Sequence, residues 1–251
     1  MKEIVTLSGD IGGGKSSVAR ILSASLGYPI ISAGGMQREI ATSMGLTTLQ
    51  LNEQSAKDRS VDDRIDAYTK MLGETRDHII VDSRLAWHFI PSAFKVFLSV
   101  DPQVGAERVF AASRSEEQHH SLDDAVANNR SRTQLESTRF RALYGIELRD
   151  YRNYDLVVDT SYVTPQQVAA TIEAAFAARC QGRSHARLWM CPKRLAAMPL
   201  TTMTVTDMAD DTAMVALAAA DGQFALVSGG DAVAEALGSG IALLPAALVS
   251  G

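Results

Sequence analysis

Residues Gly9-Asp10-Ile11-Gly12-Gly13-Gly14-Lys15-Ser16 follow the apolar β-type run Ile4-Val5-Thr6-Leu7 and open a helical pattern. Glycines there let backbone N–H groups curl inward around an anion, and a helix starting near Lys15 adds roughly half a positive charge from its dipole. A strand, a Gly-rich turn and a helix in that order form a phosphate-binding loop, so the chain is expected to bind a nucleoside triphosphate. The expected cradle is Gly9, Asp10, Ile11, Gly12, Gly13, Gly14, Lys15, Ser16 and Ser17. Lys15 would reach the β- and γ-phosphates, and the Ser16 hydroxyl would ligate Mg²⁺. Asp10 is an awkward neighbour for a polyphosphate. Its side chain is expected to point away from the phosphates, or toward Lys15 or another cation.

Over the first ~180 residues, strand-like runs alternate with helical patterns, the signature of a parallel sheet with helices on both faces. Five strands are expected: Ile4–Leu7, Pro29–Ile31, His78–Asp82, Lys95–Val100 and Leu156–Val158. Val18, Ile21, Leu22 and Leu26 recur at helical spacing, with Gly27 as the stop. Polar helical sequence follows Ser32-Ala33-Gly34-Gly35 as far as Gly73, broken at Gly45. Val104 to Tyr144 carries many Arg and Glu residues and little apolar surface, which predicts an exposed helical lid. Thr164-Pro165 starts a helix ending near Cys180, and Gln181 to Ser184 reads as a linker.

From His185 the composition shifts to Ala, Leu, Val and Gly. Asp221-Gly222 between apolar runs signals a hairpin. Asp231 is placed to cap a helix ending at Leu237, and Ile241–Val249 reads as a strand interrupted by Pro245. The expected organisation is therefore an α/β domain over 1–180 and a small α+β unit over 185–251. So short a unit rarely sustains its own core, so it should dock on the larger part or, as a homodimer contact, on a second subunit.

A net charge of −5 argues against a broad nucleic-acid surface. No apolar run is long enough to span a bilayer. The only cysteines, Cys180 and Cys191, and the lack of a basic, apolar leader fit a reduced cytoplasmic protein. A disulfide or metal site between them is not favoured. His119-His120 is expected in an exposed turn, without metal-ligand spacing around it.

Several residues are positioned for phosphate chemistry. Asp82 ends an apolar strand, where a carboxylate orients the Mg²⁺ shell. Arg84 follows it and would point across the carboxyl edge of the sheet, where open α/β folds bind ligands. Ser32, Gly34 and Arg38 offer a hydroxyl, close backbone approach and a bidentate cation for a second anion. Arg108, Arg114, Arg130, Arg132, Arg139 and Arg141 load the lid segment, with Glu136 as an i,i+4 partner; two to four are expected at the phosphates, Arg114 on the donor side.

Together these residues resemble the cytidylate kinase-like family of nucleoside monophosphate kinases, especially its shorter archaeal-type branch, over residues 1 to about 178. The resemblance rests on Ser8 to Arg20, Leu26-Gly27-Tyr28, Ser32-Ala33-Gly34 and Ser83-Arg84-Leu85-Ala86. Its narrowest part is Glu136-Ser137-Thr138-Arg139-Phe140, Tyr144-Gly145-Ile146 and Tyr154 to Thr160. It implies transfer of the γ-phosphoryl group of ATP, with Mg²⁺ and a closing arginine lid, to a pyrimidine nucleoside monophosphate such as CMP, dCMP or a modified cytidylate. Lys15 and Ser16 would serve the triphosphate, Ser32, Arg38 and Arg84 the monophosphate. Arg132, Glu136 and Arg139 match the lid pattern that contacts phosphate and acceptor.

Two departures stand out. Asp82-Ser83 replaces the usual Glu-Gly, and Gly35-Met36-Gln37 replaces a more apolar stretch. A kinase for a specialised non-nucleotide alcohol is thus a second reading, and a non-catalytic ATP-binding regulatory module a third. The tail, through Cys191-Pro192-Lys193-Arg194-Leu195 and Asp221 to Leu237, resembles a degenerate ParB/sulfiredoxin-like module without its His and Arg, which implies packing or dimerisation.

Overall fold

The computed structural model describes residues 2–46, 50, 60–112, 121–199, 215–220 and 223–249. Strand β1 (Ile4–Gly9) lies between β3 (Ile79–Asp82) and β4 (Phe94–Ser99). Beyond them lie β2 (Ile30–Ser32) and β5 (Leu156–Asp159), giving the parallel order β2-β3-β1-β4-β5. Alternate residues of these strands feed opposite faces, both covered. Val5, Leu7, Val96, Leu98 and Val158 pack under Val18 and Leu22 of α1 (Lys15–Leu26) and under Val168, Ile172 and Phe176 of α7 (Pro165–Cys180). Ile4, Ile79 and Val81 face Met36 of α2 (Ala33–Ser43), Leu72 of α3 (Ser60–Thr75) and Ile90, which follows α4 (Ala86–Phe89).

The sheet has nine strands, not five. β6 (Leu188–Met190) joins β5 in parallel, β9 (Leu244–Leu248) pairs antiparallel with β6, and β7 (Val215–Ala220) and β8 (Gln223–Ser228) complete the row. A three-residue strand such as β6 is too short to show periodicity, yet the whole extension depends on it. Several apolar residues of the tail are covered in cis, whereas Leu237 and Ile241 stay exposed. Leu188, Met190, Val215, Leu217 and Phe224 share one cluster with Trp87, Phe97, Tyr151, Tyr154 and Val157. Pro245 is tolerated in the interior strand β9 because pairing with β7 begins one residue later, at Ala246.

Three local expectations change. The cap of α9 (Gly230–Gly238) is Gly229 in the left-handed region; Asp231 sits in the first turn, where it favours the helix dipole. α3 runs past Gly73 to Thr75, and the glycine lies against Ile90, whose Cγ2 would be 2.8 Å from a Cβ at that position. The expected lid segment contains two different helices. α5 (Pro102–Ala111) buries Val104, Gly105, Ala106 and Val109, whereas α6 (Leu122–Tyr144) buries only Ala125 and carries the lid arginines.

The Gly-rich loop is wedged from behind. A Cβ on Gly12 would lie 2.3 Å from the Gly105 carbonyl, and one on Gly105 would lie 2.7 Å from the Ile11 carbonyl. Gly105→Ala is therefore expected to destabilise the chain by about 1–3 kcal/mol despite alanine's better helix propensity, read as a lower urea midpoint at unchanged slope.

Candidate active site

The parallel strands end on one edge, and their last residues supply the site. β1 runs into the loop, whose outer side is open: at Gly14, with φ of 79°, nothing lies within 4 Å of a built Cβ. The inner side is pinned. Asp10 donates its N–H to the Leu98 carbonyl (2.9 Å), and its carboxylate turns away from the cradle. It accepts from the Val100 N–H (3.1 Å) and, through one oxygen, from Arg149 Nε and Nη2 (3.0 and 2.9 Å). Arg149 is thus the cation that Asp10 requires. The only sequence signal for it was the unbalanced charge of Asp10 itself.

Lys15 Nζ rests 3.4 Å from the Gly9 carbonyl. Burial, assisted by the like charge of Arg84, pulls its pKa down to about 8 against the opposing pull of Asp82, Asp10 and Glu136. Next to it the Ser16 hydroxyl donates to Asp82 Oδ2 at 3.2 Å. Two hard oxygens at a helix N-terminus fit Mg²⁺, which takes few protein ligands and completes its shell with phosphate and water oxygens. Among the described residues no three His, Cys, Asp or Glu side chains cluster as an all-protein cage.

Facing this is a set of cations held by one carboxylate. Arg84 Nη1 is 2.8 Å from Glu136 Oε2, and Arg132 Nε is 3.7 Å from Glu136 Oε1. Glu136 and Arg132 sit on α6, so the lid already reaches the edge that carries Lys15. Farther along α6, Arg139 Nη2 pairs with Asp62 Oδ2 on α3 (2.5 Å), and the Tyr144 hydroxyl donates to Asp66 Oδ2 (2.9 Å). Burial raises the pKa of Asp66.

The second anion loop lies two strands from β1. Ser32 aligns with Asp82 across β2 and β3, and its hydroxyl accepts the Gly35 N–H at 3.1 Å as the cap of α2. Arg38, one turn on, is exposed and folds back to within 3.6 Å of the position of a Gly34 Cβ.

Other expected cations go elsewhere. Arg108 is consumed structurally: Nη1 donates to the Gly12 carbonyl (3.2 Å), and Nη2 donates to the carbonyls of Thr160 (2.6 Å) and Ser161 (3.0 Å). Arg141 pairs with Glu147. Arg114 and His119-His120 lie outside the described residues. Cys180 is exposed, Cys191 is buried, and neither forms a disulfide. No helix among the described residues is long and apolar enough to cross a membrane.

A nucleotide-type loop at the end of β1, the strand order β2-β3-β1-β4-β5 and an arginine-bearing helix over the carboxyl edge define a P-loop kinase-like α/β fold. A solved structure of an uncharacterised protein from Eubacterium ventriosum shares the fold, with a TM-score of 0.55 at 16% identity over 71% of this chain and all of that one. The sequence profile of the cytidylate kinase-like family matches residues 4–162, and the chain belongs to that family. A cytidylate kinase of Natronomonas pharaonis is 35% identical over 174 residues, 68% of this chain and 88% of that protein. An S-adenosylmethionine-dependent nucleotide dehydratase of Lacinutrix mariniflava is 33% identical over 173 residues, which cover 68% of this chain but 35% of the dehydratase.

The lowered pKa of Lys15 gives a signed expectation. Relative to the unfolded chain, keeping this ammonium charged costs stability below about pH 8, and the cost lifts as pH rises from 8 toward 10.5. Lys15→Met should be more stable than the native chain at pH 7, with the gap in melting temperature shrinking above pH 8. Bound triphosphate favours the charged form, so calorimetry at pH 8.5 in buffers of different ionisation enthalpy should show proton uptake, absent in Lys15→Met.

Proposed function

We propose that the chain transfers the γ-phosphoryl group of ATP to a pyrimidine nucleoside monophosphate, CMP or a close relative, giving the diphosphate. The observation that carries this reading is the spacing of two anion sites on one sheet edge, the Lys15 loop and the Ser32–Arg38 turn, with Asp82, Arg84 and Glu136 between them. The similarity to cytidylate kinases over the whole kinase-like region supports the choice of acceptor.

The chemistry asks little covalent help of the protein. Backbone N–H groups from Gly12 to Ser16 cradle the donor phosphates, with Ser17 and Lys15 beside them. Ser16 and Asp82 would hold Mg²⁺, which would supply charge neutralisation at the donor phosphates. Arg38, backed by the Gly34 turn, takes the acceptor phosphate bidentately. Glu136 keeps Arg84 and Arg132 at the junction until both anions arrive and compete for them, so the cations are already placed where negative charge moves. Arg139, on α6, holds the lid to α3 through Asp62, closing the acceptor side against water. The region 185–251 serves as an accessory unit to this reaction.

An acceptor panel of nucleoside monophosphates and non-nucleotide alcohols, read by ADP release and product chromatography, tests the proposal. CMP-class acceptors should give stoichiometric ADP and nucleoside diphosphate, and turnover only with an alcohol would transfer the reading to that class. Lys15→Ala should lower kcat by about 10²–10³-fold, the scale of removing one preorganised cation. Arg38→Ala should raise the acceptor KM about 10-fold or more, with the ATP KM little changed.

A further inference from the structure

We infer that Arg194, from the tail beyond the family match, is a positioning residue for the donor loop, and that the tail acts as a strut fixing the triphosphate cradle. Two contact routes run from the tail to the loop.

The first begins at Asp159, the last residue of β5, which is fully buried. Its Oδ1 accepts from Arg194 Nη1 (2.9 Å), from the Ser161 N–H (3.1 Å) and from the Ser161 hydroxyl (2.6 Å). Its Oδ2 accepts the Cys191 N–H (3.2 Å), at the cap of α8 (Pro192–Ala196), the helix that carries Arg194. Arg194 itself is 6% exposed, and its Nη1 also donates to Ser99 Oγ at 3.0 Å, tying β4 to β5. This carboxylate therefore sets the backbone of Thr160 and Ser161, whose carbonyls hold Arg108. Arg108 in turn holds the Gly12 carbonyl, on the side of the loop away from the phosphates.

The second route is aromatic. Phe224 of β8 stacks on Tyr151 with centroids 4.9 Å apart and planes 14° from parallel. Tyr151 is buried two residues from Arg149, the partner of the Asp10 carboxylate. The Arg194 guanidinium lies 5.5 Å from the centre of the same Phe224 ring, so both routes share one anchoring point in the tail. Lys193, its neighbour, lies over the Tyr162 ring at 4.3 Å, a further grip on the segment that follows β5.

Such a relay acts on the cradle and leaves the Ser32–Arg38 turn untouched, since none of its contacts reaches α2 or α3. The expectation is thus a donor-side effect from a residue that touches no substrate. The inference rests on the proposed ATP-dependent reading, so the test measures nucleotide binding by the native 251-residue chain first.

Calorimetric titration with MgADP, followed by steady-state kinetics with ATP and CMP, is applied to the native chain, Arg194→Met, Arg194→Lys and the control Val233→Ala. Val233 is buried in α9 of the same tail, in the apolar cluster that also holds Phe224 and Tyr151, and it takes no part in the hydrogen bonds that link Arg194 to Arg108. Arg194→Met should weaken MgADP and raise the ATP KM by about 10-fold, with the CMP KM within about twofold. Arg194→Lys should recover part of the loss, and Val233→Ala should lower the melting temperature with ATP KM unchanged. Should Arg194→Met fail to fold, Arg194→Lys carries the same comparison. Native-like MgADP binding and ATP KM in the folded Arg194 variants, or equal shifts in both substrates for Arg194 and Val233 variants, would overturn the strut. A native chain that binds no MgADP would instead overturn the donor reading itself.

Discussion

A loop that offers its backbone N–H groups to an anion must be held from the opposite side, and this constraint organises the molecule. Glycine at positions 9 and 12 permits the hold: Cβ atoms there would lie 2.4 Å from the Leu98 carbonyl and 2.3 Å from the Gly105 carbonyl. The close backbone approach fixes where β4 and α5 sit relative to β1. Asp10, Val100 and Arg149 close one end of the wedge, and Arg108 closes the other. Because these contacts occupy the rear, the outer face and Lys15 stay available to phosphates.

Much of this was legible in the chain itself. The loop, the five parallel strands, α1 with its Gly27 stop and α7 with its Thr164-Pro165 start all follow from local chemistry that tertiary packing leaves intact. In α7, for example, the Thr164 hydroxyl and the Gln167 side chain cap reciprocally. The motif around Tyr144-Gly145 and Tyr154-Asp155 resolves into structural causes. Gly145, with φ of 67°, ends the lid helix, Tyr154 is buried and donates to the Leu148 carbonyl, and Asp155 accepts the Lys95 N–H where β4 begins.

What escaped the sequence depends on long-range contacts. Arg108 and Arg132 look alike on a charged segment, yet one is spent on carbonyls 52 and 96 positions away in the chain, and the other faces Glu136 in the lid. Arg194 lies in a short helix 35 positions from Asp159, and no periodicity connects them. The tail was expected to dock on the larger part, and the way it docks depends on equally distant contacts: the three residues of β6 join β5 and continue the sheet.

The proposed reaction requires one sheet edge to hold a donor triphosphate and an acceptor phosphate at once. A bisubstrate analogue joining adenosine to cytidine through a polyphosphate tests this most directly, by calorimetry with Mg²⁺ present. One analogue should bind per chain, at least about 100-fold more tightly than ATP, with the gain lost in both Lys15→Ala and Arg38→Ala. An analogue that binds no more tightly than ATP, or whose affinity ignores Arg38, would contradict it.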